Sequence, residues 1–265
     1  MLGSLIKKEM KANYKIFIIF VMILSLYCSI IVAMYDPKLG ESLNMMAQSM
    51  PELFAAFGMT NPGVTLMDFL INYLYGFILI IIPFIWTLIL CQRLIVRYVD
   101  KGSMSYLLTT PHSRKQIILT QYVSLLLGVF VLLAYAVILI FVCSYIMFEE
   151  ILDIGAYLTL NFGLLALHVF FASLVYLTSC FFNESKYAIG VGGGLTFVFV
   201  LIQMLSQVND KIEFLKYITP MTLFNPESLI GYDTNALLCI GVFVVLSIIL
   251  TGLGTMFFQK KDLFL

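Results

Sequence analysis

Few side chains in this sequence combine in ways that make or break bonds. His168 is the only one of the two histidines inside an apolar run. A serine hydrolase needs such a base beside an activated nucleophile, and no serine here lies in a Gly-x-Ser-x-Gly frame. A catalytic zinc needs about three protein ligands. His-Glu-x-x-His is absent, His112 falls in a polar stretch, and Cys28, Cys91, Cys143, Cys180 and Cys239 sit in apolar runs without a Cys-x-x-Cys pair. The cysteines read as buried small hydrophobes. Glu149-Glu150 lies at the rim of a hydrophobic run with no Arg four residues on. Gly190-Val191-Gly192-Gly193-Gly194 lacks the Lys-Ser/Thr and the preceding strand of a phosphate loop, and its small-residue spacing suits close helix approach instead. That leaves Asn161 and His168, seven residues apart on one helical face, and Gln203. They read as interhelical hydrogen-bonding groups and as candidate linings of a substrate path. Catalysis and resident cofactors are not expected of this chain.

The elements that position these residues are set by composition. Of 265 residues, 62% are apolar and 11% charged, and the mean hydropathy is +1.02. A soluble domain carries about a quarter charged residues, so the solvent is a bilayer. Runs of about 20 apolar residues mark membrane-spanning helices. Six are found, near 16–35, 73–95, 117–147, 155–182, 187–207 and 236–258. No small-residue cleavage site follows the first, so it reads as a span and not a leader. Lys7, Lys8, Lys11, Lys15, Arg93, Arg97, Lys101, Arg114, Lys115, Lys186, Lys260 and Lys261 fall on alternating connections and termini, and they are 12 of the 15 basic residues. Eleven of the 15 acids fall on the other side. By the positive-inside rule both termini are cytoplasmic. The balanced net charge gives no reason to expect a nucleic-acid partner. The excess of Lys over Arg, twelve to three, suits an AT-rich bacterial genome and thus a bacterial cell membrane.

No Asp, Glu, Lys or Arg lies near the middle of a span. A charge there costs at least about 2.5 kcal/mol and marks proton or ion pathways, so an ion-coupled transporter is disfavoured. The longest piece between spans, 36–72, is too short for a catalytic domain of usual size. Residues 1–15 read as an amphipathic interfacial helix, with Leu2, Leu5, Ile6 and Met10 on one face and the lysines on the other. On the opposite side, Ser49-Met50-Pro51-Glu52 has capping-box spacing ahead of a short helix that Gly58 ends, with Leu53, Phe54 and Phe57 as its apolar face. A second short helix, 210–218, carries Ile212, Leu215 and Ile218. Both read as lids, or as landing places for an amphiphile.

The connection 93–116 is richer than a tie between two spans requires. Gly102 breaks the helix leaving the second span, Ser103 can cap a new one, and Pro111 ends it, which makes a helical elbow. Met104, Leu107 and Leu108 give the elbow an apolar face, expected at the water boundary and open to a partner or lipid.

Gly102, Leu107-Leu108, Pro111, Ser113 and Arg114, with Asp100 as an acid before them, resemble the cytoplasmic loop between the second and third spans of type-2 ATP-binding-cassette exporter permeases. Lys101 and Ser103-Met104-Ser105 depart from that family's Gly-Thr-Leu-Glu pattern. Tyr217-Ile218-Thr219-Pro220 and Lys260-Lys261-Asp262-Leu263 add weaker matches. The resemblance implies one permease domain, 1–265, with 93–116 as its coupling loop. It implies partnership with two separate ATPase subunits, which would hold the ATP and Mg, and with a second permease copy or a related permease. Asp100, Gly102, Tyr106, Leu107, Leu108, Pro111 and Arg114 are then the expected ATPase contacts. An uncharged interior favours a peptide, antibiotic or lipid-like cargo. A membrane sensor or scaffold that uses the same elbow to bind a cytoplasmic protein, without transport, is the alternative.

Overall fold

A computed structural model describes residues 2–36, 45–46, 48–56, 65–148, 152–207 and 210–261. Among them there is no strand. Six helices are long and apolar enough to cross a membrane: α1 (Gly3–Met34), α2 (Leu66–Asp100), α3 (Arg114–Met147), α4 (Ile154–Phe181), α5 (Ser185–Ser206) and α6 (Thr234–Lys260). All six expected spans are present, and each helix is extended relative to its apolar run at one or both ends. α1 is the most extended: residues 3–15 are its first turns and run without a break into the apolar stretch. After Gly3 it contains neither Gly nor Pro, so nothing interrupts the backbone hydrogen bonding. The lysines are exposed as expected, but the buried stripe reads Leu5, Glu9, Asn13, Phe20, Leu24, Cys28 and Val32 and so carries two polar residues inward.

α4 is the most buried of the six and packs against α2, α5 and α6, while α1 packs chiefly on α3. Hydroxyls on facing helices supply the polar glue of a bundle in lipid. Ser25 pairs with Tyr135 at 2.6 Å, Tyr122 with Ser173 at 2.7 Å, and Tyr176 with Thr255 at 2.9 Å. Of the glycine cluster, Gly192 makes the closest approach to α4: a Cβ there would lie 2.3 Å from Thr178 Oγ1 and 3.4 Å from the Val175 backbone. At Gly190 and Gly194 nothing lies within 4 Å.

α2 is not a uniform α-helix. Wider i→i+5 turns at Ile71–Ile78 and Gln92–Val96 bracket the α-helical Leu79–Cys91, which contains Pro83. Pro83 has no N–H to offer the Leu79 carbonyl four residues back. His168 Nε2 donates to that carbonyl at 2.8 Å across the α2–α4 interface. The one histidine of the bundle interior thus completes the backbone bond that a proline removes.

Between the long helices, Pro51–Ala56 is a short helix as expected, and Ser49 Oγ donates back to the Met45 carbonyl. Phe57 and Gly58 lie outside the described residues. The 210–218 segment is a 3₁₀-helix over Asp210–Tyr217, whose three-residue turn suits the spacing of Ile212, Leu215 and Ile218.

Candidate functional site

The turn leaving α2 is closed by its own backbone. The Lys101 N–H donates to the Arg97 carbonyl, and the Gly102 N–H to the Val99 carbonyl. Gly102 sits at φ +66°, the left-handed region that glycine enters without a Cβ clash, and this turns the chain out of the helix. Ser103 Oγ donates to the Tyr98 carbonyl at 3.4 Å and braces the turn. The elbow helix, Met104–Leu108, follows. Its last carbonyls are taken by hydroxyls: Thr109 donates to Tyr106 and Thr110 to Leu107. Pro111 follows, and Ser113 caps α3 in a full capping box with Gln116, at 3.2 Å each way. The Pro-x-Ser-Arg sequence is therefore a helix stop, a cap and a first helical residue.

The apolar face of the elbow points inward, contrary to expectation. Met104 is 1% exposed, and Leu107 and Leu108 are half-buried against the core. A five-residue helix has one apolar side, and burying it on the bundle's own end removes it from water. What the elbow presents outward is Tyr106, 78% exposed, followed by Thr109, Thr110, Pro111 and His112.

Three ties fasten this end of the molecule. Ser185 Oγ at the start of α5 donates to Asp100 Oδ2 at the end of α2 at 2.8 Å. Arg114 Nη1 on α3 donates to the Lys261 carbonyl just past α6 at 3.1 Å. Lys261 Nζ donates to the Phe182 carbonyl just past α4. Partial burial lowers the Lys261 ammonium from 10.5 to about 8, against a small opposing effect of Cys180. Five helix ends are thereby joined around the elbow. Asp262 and Leu263, which the resemblance also used, lie outside the described residues.

The three polar candidates of the interior are not brought together. Asn161 accepts from Tyr75 at 2.9 Å and donates to the Tyr157 carbonyl. His168 is fully buried on Leu79, edge-on to Phe171. Gln203 accepts from Thr222 at 2.9 Å, at the other end of α5.

Sequence reasoning missed a polar group at the basic end. Glu9, 4% exposed, accepts through Oε1 from Tyr98 at 2.7 Å and from Gln121 at 3.4 Å. The i, i+4 run Leu5, Glu9, Asn13 leading into the buried stripe of α1 was the available signal.

These features define a multi-pass, all-α membrane protein organised at its basic end around a fastened elbow. Its sequence matches the family described as ABC-2 family transporter protein over residues 4–263. The chain belongs to that family, and is the membrane permease subunit of an ABC transporter, a different subunit from the ATPases that such permeases partner. No curated protein matches it.

Proposed function

We propose that this chain is the permease half of an ABC exporter. It works with a second copy or a related permease and with two separate ATPase subunits that bind ATP and Mg. The exporter lies in a bacterial cell membrane, with its basic end and both termini in the cytoplasm, by the positive-inside distribution of Lys and Arg. The cargo is amphiphilic or hydrophobic: a peptide, an antibiotic or a lipid-like molecule. Two things support that class: no charge lies near the middle of a span, and Asn161 and His168 on α4 are engaged across helix interfaces by Tyr75 and by the Leu79 carbonyl.

The observation that carries the proposal is the elbow's construction. It is clamped to the bundle by Met104, Leu107 and Leu108, projects Tyr106 and Pro111, and sits among ties joining α2 to α5 and α3 to the ends of α4 and α6. A partner shifts a conformational equilibrium only through contacts that differ between its states. A rigid, outward-facing helix gives the ATPase such a contact, and the ties pass its displacement to five helix ends. In this reading Tyr106 and Pro111 touch the ATPase, while Asp100, Gly102, Leu107, Leu108 and Arg114 hold the elbow in place. Tyr106→Ala removes a large exposed ring and leaves the core untouched. We expect it to weaken copurification of the ATPase at least about tenfold, as truncating an interface hot spot does, with insertion and thermal stability unchanged. Undiminished recovery of the ATPase refutes the elbow's role.

A further inference from the structure

Two cavities meet at the basic end, on the shared wall of Glu9 and Asn13. One, of about 260 Å³, is lined by Arg93, Arg97, Lys101, Ser103 and Tyr98. Among the described residues, none of its three cations pairs with a carboxylate. The other, of about 120 Å³, runs along Phe17, Trp86, Leu90, Gly128 and Val131 and is almost wholly apolar. It lies among α1, α2 and α3, and Gly128 lets α3 pack closely on α2 along its wall: a Cβ there would come within 2.5 Å of Leu90 Cδ2. Trp86 is 2% exposed, and its indole Nε1 has no acceptor among the described residues.

We propose that this two-chambered slot binds one acidic phospholipid, with its phosphate in the cationic chamber and the start of one acyl chain in the apolar one. Three cations against one carboxylate leave the polar chamber net positive, and that carboxylate is already engaged by Tyr98 and Gln121. A phosphate matches this charge, and basic pockets between membrane helices are suited to acidic headgroups. A free anion would leave the adjoining apolar chamber empty, and a zwitterionic lipid would bring a cation of its own against Arg93, Arg97 and Lys101. The cationic chamber also touches the turn that launches the elbow, through Lys101 and Ser103. The lipid therefore sits beside the coupling segment. The site belongs to this chain alone, and testing it needs no ATPase.

Trp86 is the only tryptophan in the chain and lies on the wall of the apolar chamber, so its fluorescence reads the site directly. The purified chain in nanodiscs receives phosphatidylglycerol or phosphatidylcholine brominated on one acyl chain, at equal mole fraction. Phosphatidylglycerol should quench Trp86 saturably and more strongly. Arg97→Gln and Lys101→Gln should each weaken its apparent affinity about fivefold. Val131→Phe, at the rim of the apolar chamber, should abolish the headgroup preference without touching a charge. Dodecyl phosphate should relieve the quenching, and inorganic phosphate should not. Equal quenching by the two lipids, relief by inorganic phosphate alone, or unchanged behaviour in the folded variants overturns the proposal.

Discussion

The pairing of His168 with the carbonyl that Pro83 leaves free can be tested quantitatively. His168 is fully buried, and its Nε2 lies 2.8 Å from the Leu79 oxygen. Phenylalanine fills nearly the same space and keeps the edge contact with Phe171, so His168→Phe removes the hydrogen bond with little change in packing. The Leu79 carbonyl then has lost its imidazole donor and, with proline at 83, has no N–H four residues on. A buried unsatisfied carbonyl costs about 1–3 kcal/mol, and single interhelical bonds in membrane bundles have measured about 0.6–1.7 kcal/mol. The expected loss is therefore about 1–2 kcal/mol. Pro83→Ala restores an N–H four residues after Leu79, so in that background His168→Phe should cost almost nothing. The double-mutant cycle should show a coupling of about 1–2 kcal/mol. Cys28, Cys91 and Cys180 are free and buried, so a thiol-reactive dye in detergent reports unfolding. An equal cost of His168→Phe in the wild-type and Pro83→Ala backgrounds would refute the backbone-repair account. Loss of transport without loss of stability would move His168 to the cargo path.

Other consequences follow from single contacts. Gly192→Ala should destabilise by about 1–3 kcal/mol through overpacking on Thr178, whereas Gly194→Ala, with open space around it, should be neutral in the same unfolding assay. Gly102→Ala forces a side chain into φ +66° at a cost of about 1–2 kcal/mol. It should lower ATPase stimulation by the permease in reconstituted complexes more than it lowers thermal stability. Lys261 has a folded pKa lowered from 10.5 to about 8, so between those values the unfolded chain binds more protons and stability should rise with pH. Amine acylation at Lys261, followed by peptide mapping, should half-saturate near pH 8, and a midpoint near 10.5 would contradict the burial.

The number and place of the long helices were legible because lipid demands long apolar runs, and the alternation of Lys and Arg paired their ends. Gly102 and Pro111 were equally legible, since each acts through its own backbone, whereas the sequence placed the cap at Ser103 and the hydroxyl that caps a helix is that of Ser113. The direction of the elbow's apolar face was not. Met104, Leu107 and Leu108 mark an apolar side, but whether it meets a partner or the chain's own core depends on contacts far along the sequence. The same holds for Glu9, Ser185 and Lys261, whose partners are Tyr98 with Gln121, Asp100, and the Phe182 carbonyl. The continuity of α1 was missed for another reason. The change from Lys-rich to apolar sequence near residue 16 is a change of solvent, and a helix with no Gly or Pro passes through it unbroken.

The central claim is that this chain has no energy source of its own and is driven through its elbow by a separate ATPase. The direct measurement is ATP-dependent movement of a fluorescent amphiphile in proteoliposomes, with the permease alone, with the ATPase recovered from its native membrane, and with that ATPase and Tyr106→Ala permease. The account predicts movement only in the second case and a severe loss in the third. Uphill movement or ATP hydrolysis by the permease alone, or full activity with Tyr106→Ala, would contradict it.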